Sequence, residues 1–168
     1  MLYSQKPLIG LLKRGDFPGE DDKPEHIETV ISNVFLFEKK VYKLYKNDNE
    51  FFNQNFRDLS NREERFDFTR RDFVWNQTLS PDIYLRVIGV RVREGKIETS
   101  EPDSAADDLV IEMKRVRAKD VLFAKLMRGE ISEETCFSLG RQLAASLKGV
   151  KERLTGKHNY YEIFGTRV

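Results

Sequence analysis

The stretch from Ile31 to Lys46, ISNVFLFEKKVYKLYK, alternates in the manner of two strands, with Glu38-Lys39-Lys40 as the polar turn between them. The stretch before it, HIETVISN from His26, is also strand-like, with Thr29 and Ser32 where the first strand turns into the second. Successive strand side chains point to opposite faces, so Val41, Lys43 and Tyr45 share one face and Tyr42, Leu44 and Lys46 the other. The period of two returns in IYLRVIGVRVREGKIE, two antiparallel strands about Glu94-Gly95-Lys96, and in a strand from Leu109 to about Met113. Helical spacing appears in residues 2 to 14, with Leu8, Ile9, Leu11 and Leu12, before turn formers from Gly15 to Pro24. Ser60-Asn61-Arg62-Glu63 matches a capping box and opens a helix to about Thr78. That helix sets Phe66, Phe73 and Trp75 on its apolar side, and Thr69, Asp72 and Asn76 in an i, i+3, i+4 line. The line is either a solvated stripe or a face presented to a charged cleft. Asn47 to Leu59 reads as a linker pinned by Phe51, Phe52 and Phe56.

Two helices come after the last strand. One covers residues 119 to 128, carrying Val121, Leu122, Leu126 and Met127. The other opens at Ser132 and runs to about Lys148, with Phe137, Leu139, Leu143 and Leu147 inward. From Val150 the chain is basic and aromatic, an extra helix or a tail. These elements predict an α+β fold: an antiparallel sheet of five strands with one packed helix, followed by helices. The expected division is an N-terminal extension (1–24), a sheet lobe (25–116) and a helical segment (117–168).

Composition narrows the class. The 168 residues suffice for one core, and 34% charged against 39% hydrophobic residues suits a globular protein. A formal charge of +1 gives no push toward nucleic acid or an anionic membrane. No apolar run approaches the roughly 18 residues that span a bilayer. The start, MLYSQKPLIGLLKRGDFPGE, does not read as a signal peptide. One cysteine, Cys136, excludes an intrachain disulfide, and with only His26 and His158 beside it a His/Cys zinc site is not expected. A cytoplasmic location is the expectation.

Lys43 carries the candidate chemistry. A Val-x-Lys strand entered from a hairpin is how kinase-like folds place the lysine that binds nucleotide phosphates. The plain alternative is an edge strand studded with lysines that block aggregation. No glycine lies between Gly19 and Gly89, so a glycine-rich phosphate loop is absent. Hydroxyls and amides of residues 28 to 33, Thr29 and Ser32 among them, would have to grip any phosphate. Lysines interleaved with Tyr42 and Tyr45 could suit single-stranded nucleic acid, but the near-neutral charge favours a solvated face. Cys136, inside a helix and away from any histidine motif, reads as a packing residue.

HIETVISNVFLFEKKVYKLYK, NQTLSPDIYLRVIGV, LVIEMKRV and LMRGEIS, in that order, resemble a bacterial aminoglycoside-phosphotransferase-like family of kinase-like fold, in its small-lobe portion. The resemblance covers about Ile27 to Leu147. It implies that Lys43 binds the α and β phosphates of ATP. It also implies a carboxylate on the following helix that orients this lysine. The family's run of glutamates falls here on Arg70-Arg71-Asp72, so Asp72 is the implied partner, with Glu64 two turns earlier as the fallback. Backbone groups from Met113 to Arg115 would bond adenine. The H-x-D-x-x-x-x-N loop that serves phosphoryl transfer is missing from this sequence, so Mg2+ would bind only with a large lobe supplied. The expected function is therefore the ATP-binding small lobe of a kinase-like phosphotransferase (a transferase by ancestry), incomplete and inactive alone, binding nucleotide weakly. The alternative is a stand-alone interaction or regulatory module with the same sheet and no transfer activity. Either way, self-association through exposed apolar surface is expected.

Overall fold

The computed structural model describes residues 3–154, which fall into two compact units, one through Arg115 and one from Val116. The first unit is built on a six-stranded antiparallel sheet: β1 (Glu25–Glu28), β2 (Ser32–Leu36), β3 (Lys40–Tyr45), β4 (Tyr84–Arg93), β5 (Lys96–Ser100) and β6 (Asp108–Lys114). Their order across the sheet is β1-β2-β3-β6-β4-β5. The expected total of five is thus six, because β1 and β2 are separate strands on either side of the Thr29–Ser32 turn and the Glu94-Gly95 turn joins two more. Glu94 and Gly95 both take positive φ (49° and 74°), the conformation of a two-residue hairpin turn whose twist matches that of its strands. Five residues of β5 therefore pair from Gly89 to Arg93.

One face of the sheet is covered by α1 (Lys6–Arg14), which is part of the core rather than an extension. Leu8, Leu11 and Leu12 lie on one side of the helix and are buried against Phe35, Tyr42, Leu44, Val90 and Val110. Each fully buried leucine contributes about 1.5–3 kcal/mol. Gly15 ends the helix at φ 91°, and the N–H groups of Gly15 and Asp16 close on the carbonyls of Leu12 and Leu11.

The other face takes α3 (Arg62–Leu79), after a short α2 (Glu50–Asn55). The stretch read as a linker contains α2 because Asn49 caps it, its side chain accepting from the Phe52 N–H at 2.9 Å. The cap of α3 is Asn61, not Ser60: its Oδ1 accepts from Glu63 and Glu64 N–H. Gly89 lets the β5–β6 connection cross over β4, since a Cβ there would stand 2.5 Å from the Glu101 carbonyl oxygen.

The second unit comprises a 3-10 turn (Ala118–Asp120), α4 (Leu122–Met127) and α5 (Glu133–Leu154). Helix α5 outruns the expected end near Lys148, and the chain past Leu154 lies outside the described residues. Phe137, Leu139, Leu143 and Leu147, expected inward, are exposed, as are Leu122, Phe123 and Met127 on α4. A helical apolar stripe fixes which side chains share a face, but not that something covers it.

Candidate functional site

Strand alternation sends Lys43 toward α3, with Val34 of β2 and Ile111 of β6 beside it in register. Its ammonium meets the Asp72 carboxylate, Nζ to Oδ2 3.1 Å, and lies 4.6 Å from the centre of the Tyr45 ring. Asp72 is the hub of the cluster. Asn76, one turn on, donates to Oδ1 at 2.9 Å, and the Tyr45 hydroxyl hydrogen-bonds to the same carboxylate. Burial pushes the Tyr45 hydroxyl above the usual tyrosine range, and the Asp72 charge and hydrogen bond add to the shift. Tyr84 of β4 is raised by burial first and by Asp72 second. Around these polar groups pack Phe68, Phe73, Val87 and Met113, so the ion pair sits in largely apolar surroundings. Both partners are still part-exposed, at 19% and 23%.

A second polar cluster fixes the first. Arg65 and Asp108, each 1% exposed, form an ion pair with Nε 3.1 and 3.2 Å from the two carboxylate oxygens. Gln5, also buried, donates to Asp108 at 2.6 Å and to the Tyr45 carbonyl at 2.7 Å. Arg65 Nη1 donates to the Leu59 carbonyl, while Nη2 has no hydrogen-bond partner among the described residues. Burial pushes the Asp108 carboxyl up, against the downward pull of Arg65, Gln5 and the Leu109 N–H. The pair ties α3 to β6, and Gln5 ties both to the strand that carries Lys43 and Tyr45. Its sequence signal is the polar line itself: Thr69, Asp72 and Asn76, extended back one turn, begin at Arg65. The line faces the sheet, with Arg65 and Thr69 buried and Asp72 and Asn76 half-buried.

No family model, curated protein or solved structure matches the chain. What the site can do is therefore argued from its own residues.

Of the positions singled out in the sequence, the fold brings Lys43 and Asp72 together and sends Glu64 elsewhere. Glu64 pairs with Arg57 at 2.8 Å on the surface of α3. Thr29 and Ser32 bracket the β1–β2 turn with their hydroxyls 2.7 Å apart, and the Thr29 oxygen accepts from the Ser32 N–H. Their hydrogen bonds close the turn. Ser32 stands opposite Tyr45, on the Lys43 face. Met113 lines that face too, between Val41 and Tyr84. Beyond it the Lys114 and Arg115 N–H groups are spent on the carbonyls of Ile83 and Lys39, at 2.8 and 2.9 Å. The Arg115 guanidinium donates to the Leu36 and Phe37 carbonyls.

A groove of about 690 Å3 lies not at Lys43 but along the outer edge of β4. Among the described residues no group of three or more His, Cys, Asp or Glu is placed to hold a metal ion. No described helix is long and apolar enough to cross a membrane.

Proposed function

We propose that the sheet unit is a nucleotide-binding lobe arranged like the small lobe of a kinase, with Lys43 contacting the α and β phosphates of ATP. The approach of Lys43 to Asp72 carries this reading. A strand lysine held by a carboxylate of the next helix, with its strand beside the last strand of the sheet, is the arrangement that presents an ammonium to phosphate. Asp72 and the Tyr45 ring hold that ammonium, Asn76 steadies Asp72, and the Thr29–Ser32 turn would supply further phosphate contacts. Mg2+ and the transfer step require ligands and a base that this sequence lacks, so the proposed role stops at binding.

Titrating ATP into the wild type, Lys43→Met and Lys46→Met tests the assignment. Lys46 is the control, since its ammonium is engaged by Glu28 at 2.7 Å near the surface. The wild type and Lys46→Met should bind with a dissociation constant of roughly 1 mM, about 4 kcal/mol, and Lys43→Met should not bind. Equal responses from the two variants would remove Lys43 from the site.

The second reading is an interaction module, favoured by the exposed Phe123, Met127, Phe137 and Leu143 of α4 and α5. No ATP response in any of the three proteins, with concentration-dependent self-association in sedimentation, would select it.

A further inference from the structure

Strand β4 is ten residues long, yet β5 pairs only with its second half, Gly89 to Arg93. The two-residue turn makes Arg93 and Lys96 the closing hydrogen-bonded pair, so the backbone groups of Gly89, Arg91 and Arg93 point toward β5. Val90 faces inward, its carbonyl accepting from the Asp107 N–H at 2.9 Å. By the same alternation the N–H and C=O of Val87 point outward, past the end of β5. β5 ends at Ser100 and the chain then leaves the edge, Glu101 passing over Gly89 and the Pro102 carbonyl accepting from Arg70 at 2.6 Å. Val87 therefore has an outward donor and acceptor with no backbone partner among the described residues.

The large groove runs along this open edge, with Phe73 and Val74 of α3 as one wall and Phe17 and Pro18 as the other. Side chains of an added strand would alternate between those walls, the pattern by which extended peptides gain specificity on a sheet edge. Charge completes the fit. Arg70 makes no ion pair with a described residue, and Arg86 shares the single carboxylate of Glu112 with Lys40.

We propose that an extended peptide adds to the outer edge of β4, its main chain bonding Val87, its apolar side chains alternating between the two walls and an acidic residue reaching Arg70.

The test uses the full chain and a displayed library of hexapeptides with Val, Ile or Phe at alternate positions and Glu, Ser or Thr between. Enriched peptides are then made synthetically, with and without N-methylation of the central amides. The expected result is slower hydrogen exchange at the Val87 amide by at least about tenfold on binding. N-methylated peptides should lose binding, and the exposed-site variants Arg70→Ser and Val74→Asp should each weaken it by about tenfold. Failure of the library to enrich any peptide above the scaffold alone overturns the proposal. So does a bound peptide that leaves Val87 exchange unchanged or tolerates N-methylation.

Discussion

At the scale of residues, the decisive interaction is one that reads as surface in the sequence. Arg65 follows Glu63 and Glu64 in a charged stretch, yet it is among the most buried side chains of the chain. Two charges taken out of water are held by each other and by Gln5, so removing one strands the other. Arg65→Met should cost about 3–5 kcal/mol in urea unfolding followed by Trp75 fluorescence, because Asp108 then stays buried without its counter-charge. Arg65→Met combined with Asp108→Leu should recover a large part of that loss, since the orphaned charge is gone. Additive losses would mean that the two residues act through other contacts. Lys43→Met is milder on the same scale. Asp72 keeps Asn76 and Tyr45 and is part-exposed, so about 1–2 kcal/mol is expected. The same variant can therefore report on nucleotide without unfolding the protein.

At the scale of elements, glycines separate two roles. Gly10, inside α1, has open space where a Cβ would go, so Gly10→Ala should stabilise by roughly 0.5–1 kcal/mol through helix propensity. Gly89 is crossed by the β5–β6 connection, and a Cβ would meet the Glu101 carbonyl oxygen at 2.5 Å and Ser100 Oγ at 2.6 Å. Gly89→Ala should cost about 1–3 kcal/mol, since backbone has to give way. Thermal melts of the two variants should move in opposite directions, and a shared direction would contradict this account of the crossover. Similar considerations decide which elements were legible in the sequence. Helix α1 declares itself by period, because it has one buried face and one wet face, whereas the two hairpins are marked by their polar turns and α3 by the polar cap at its start. Helix α2 does not declare itself, because its two phenylalanines, Phe51 and Phe52, are adjacent in a six-residue helix with no buried residue. Lys43 is legible from strand parity and Asp72 from the polar line of its helix, while their pairing is what the family resemblance implies, with Glu64 as the other choice. The Arg65–Asp108 pair is not, because its partners lie 43 residues apart and only the folded sheet joins them.

At the scale of the whole molecule, four tyrosines share one displacement. Tyr3, Tyr42, Tyr45 and Tyr84 are all pushed above the ordinary tyrosine range, each by burial first and by a nearby carboxylate after that. Tyr42 donates to Glu20 at 2.7 Å on the α1 face, and Tyr45 bonds Asp72 on the α3 face, so both sides of the sheet are involved. A folded-state pKa raised above the unfolded value contributes stability that is complete below about pH 10 and is lost as pH rises through the folded pKa. Above about pH 10 the unfolded chain gives up these protons while the folded chain keeps them. Each fully buried tyrosine then removes about 1.4 kcal/mol of stability per pH unit. Tyr42 and Tyr45, each 1% exposed, are the two to which that limit applies. Tyr45→Phe should be less stable than wild type at pH 8, by about 1 kcal/mol for the lost hydrogen bond. Its stability should nevertheless fall less steeply between about pH 10 and 11.5, so the two curves converge. Urea unfolding at half-unit pH steps measures both slopes. Parallel curves would mean that the Tyr45 hydroxyl ionises as freely in the folded chain as in the unfolded one, and would overturn the assignment of this slope to its burial beside Asp72.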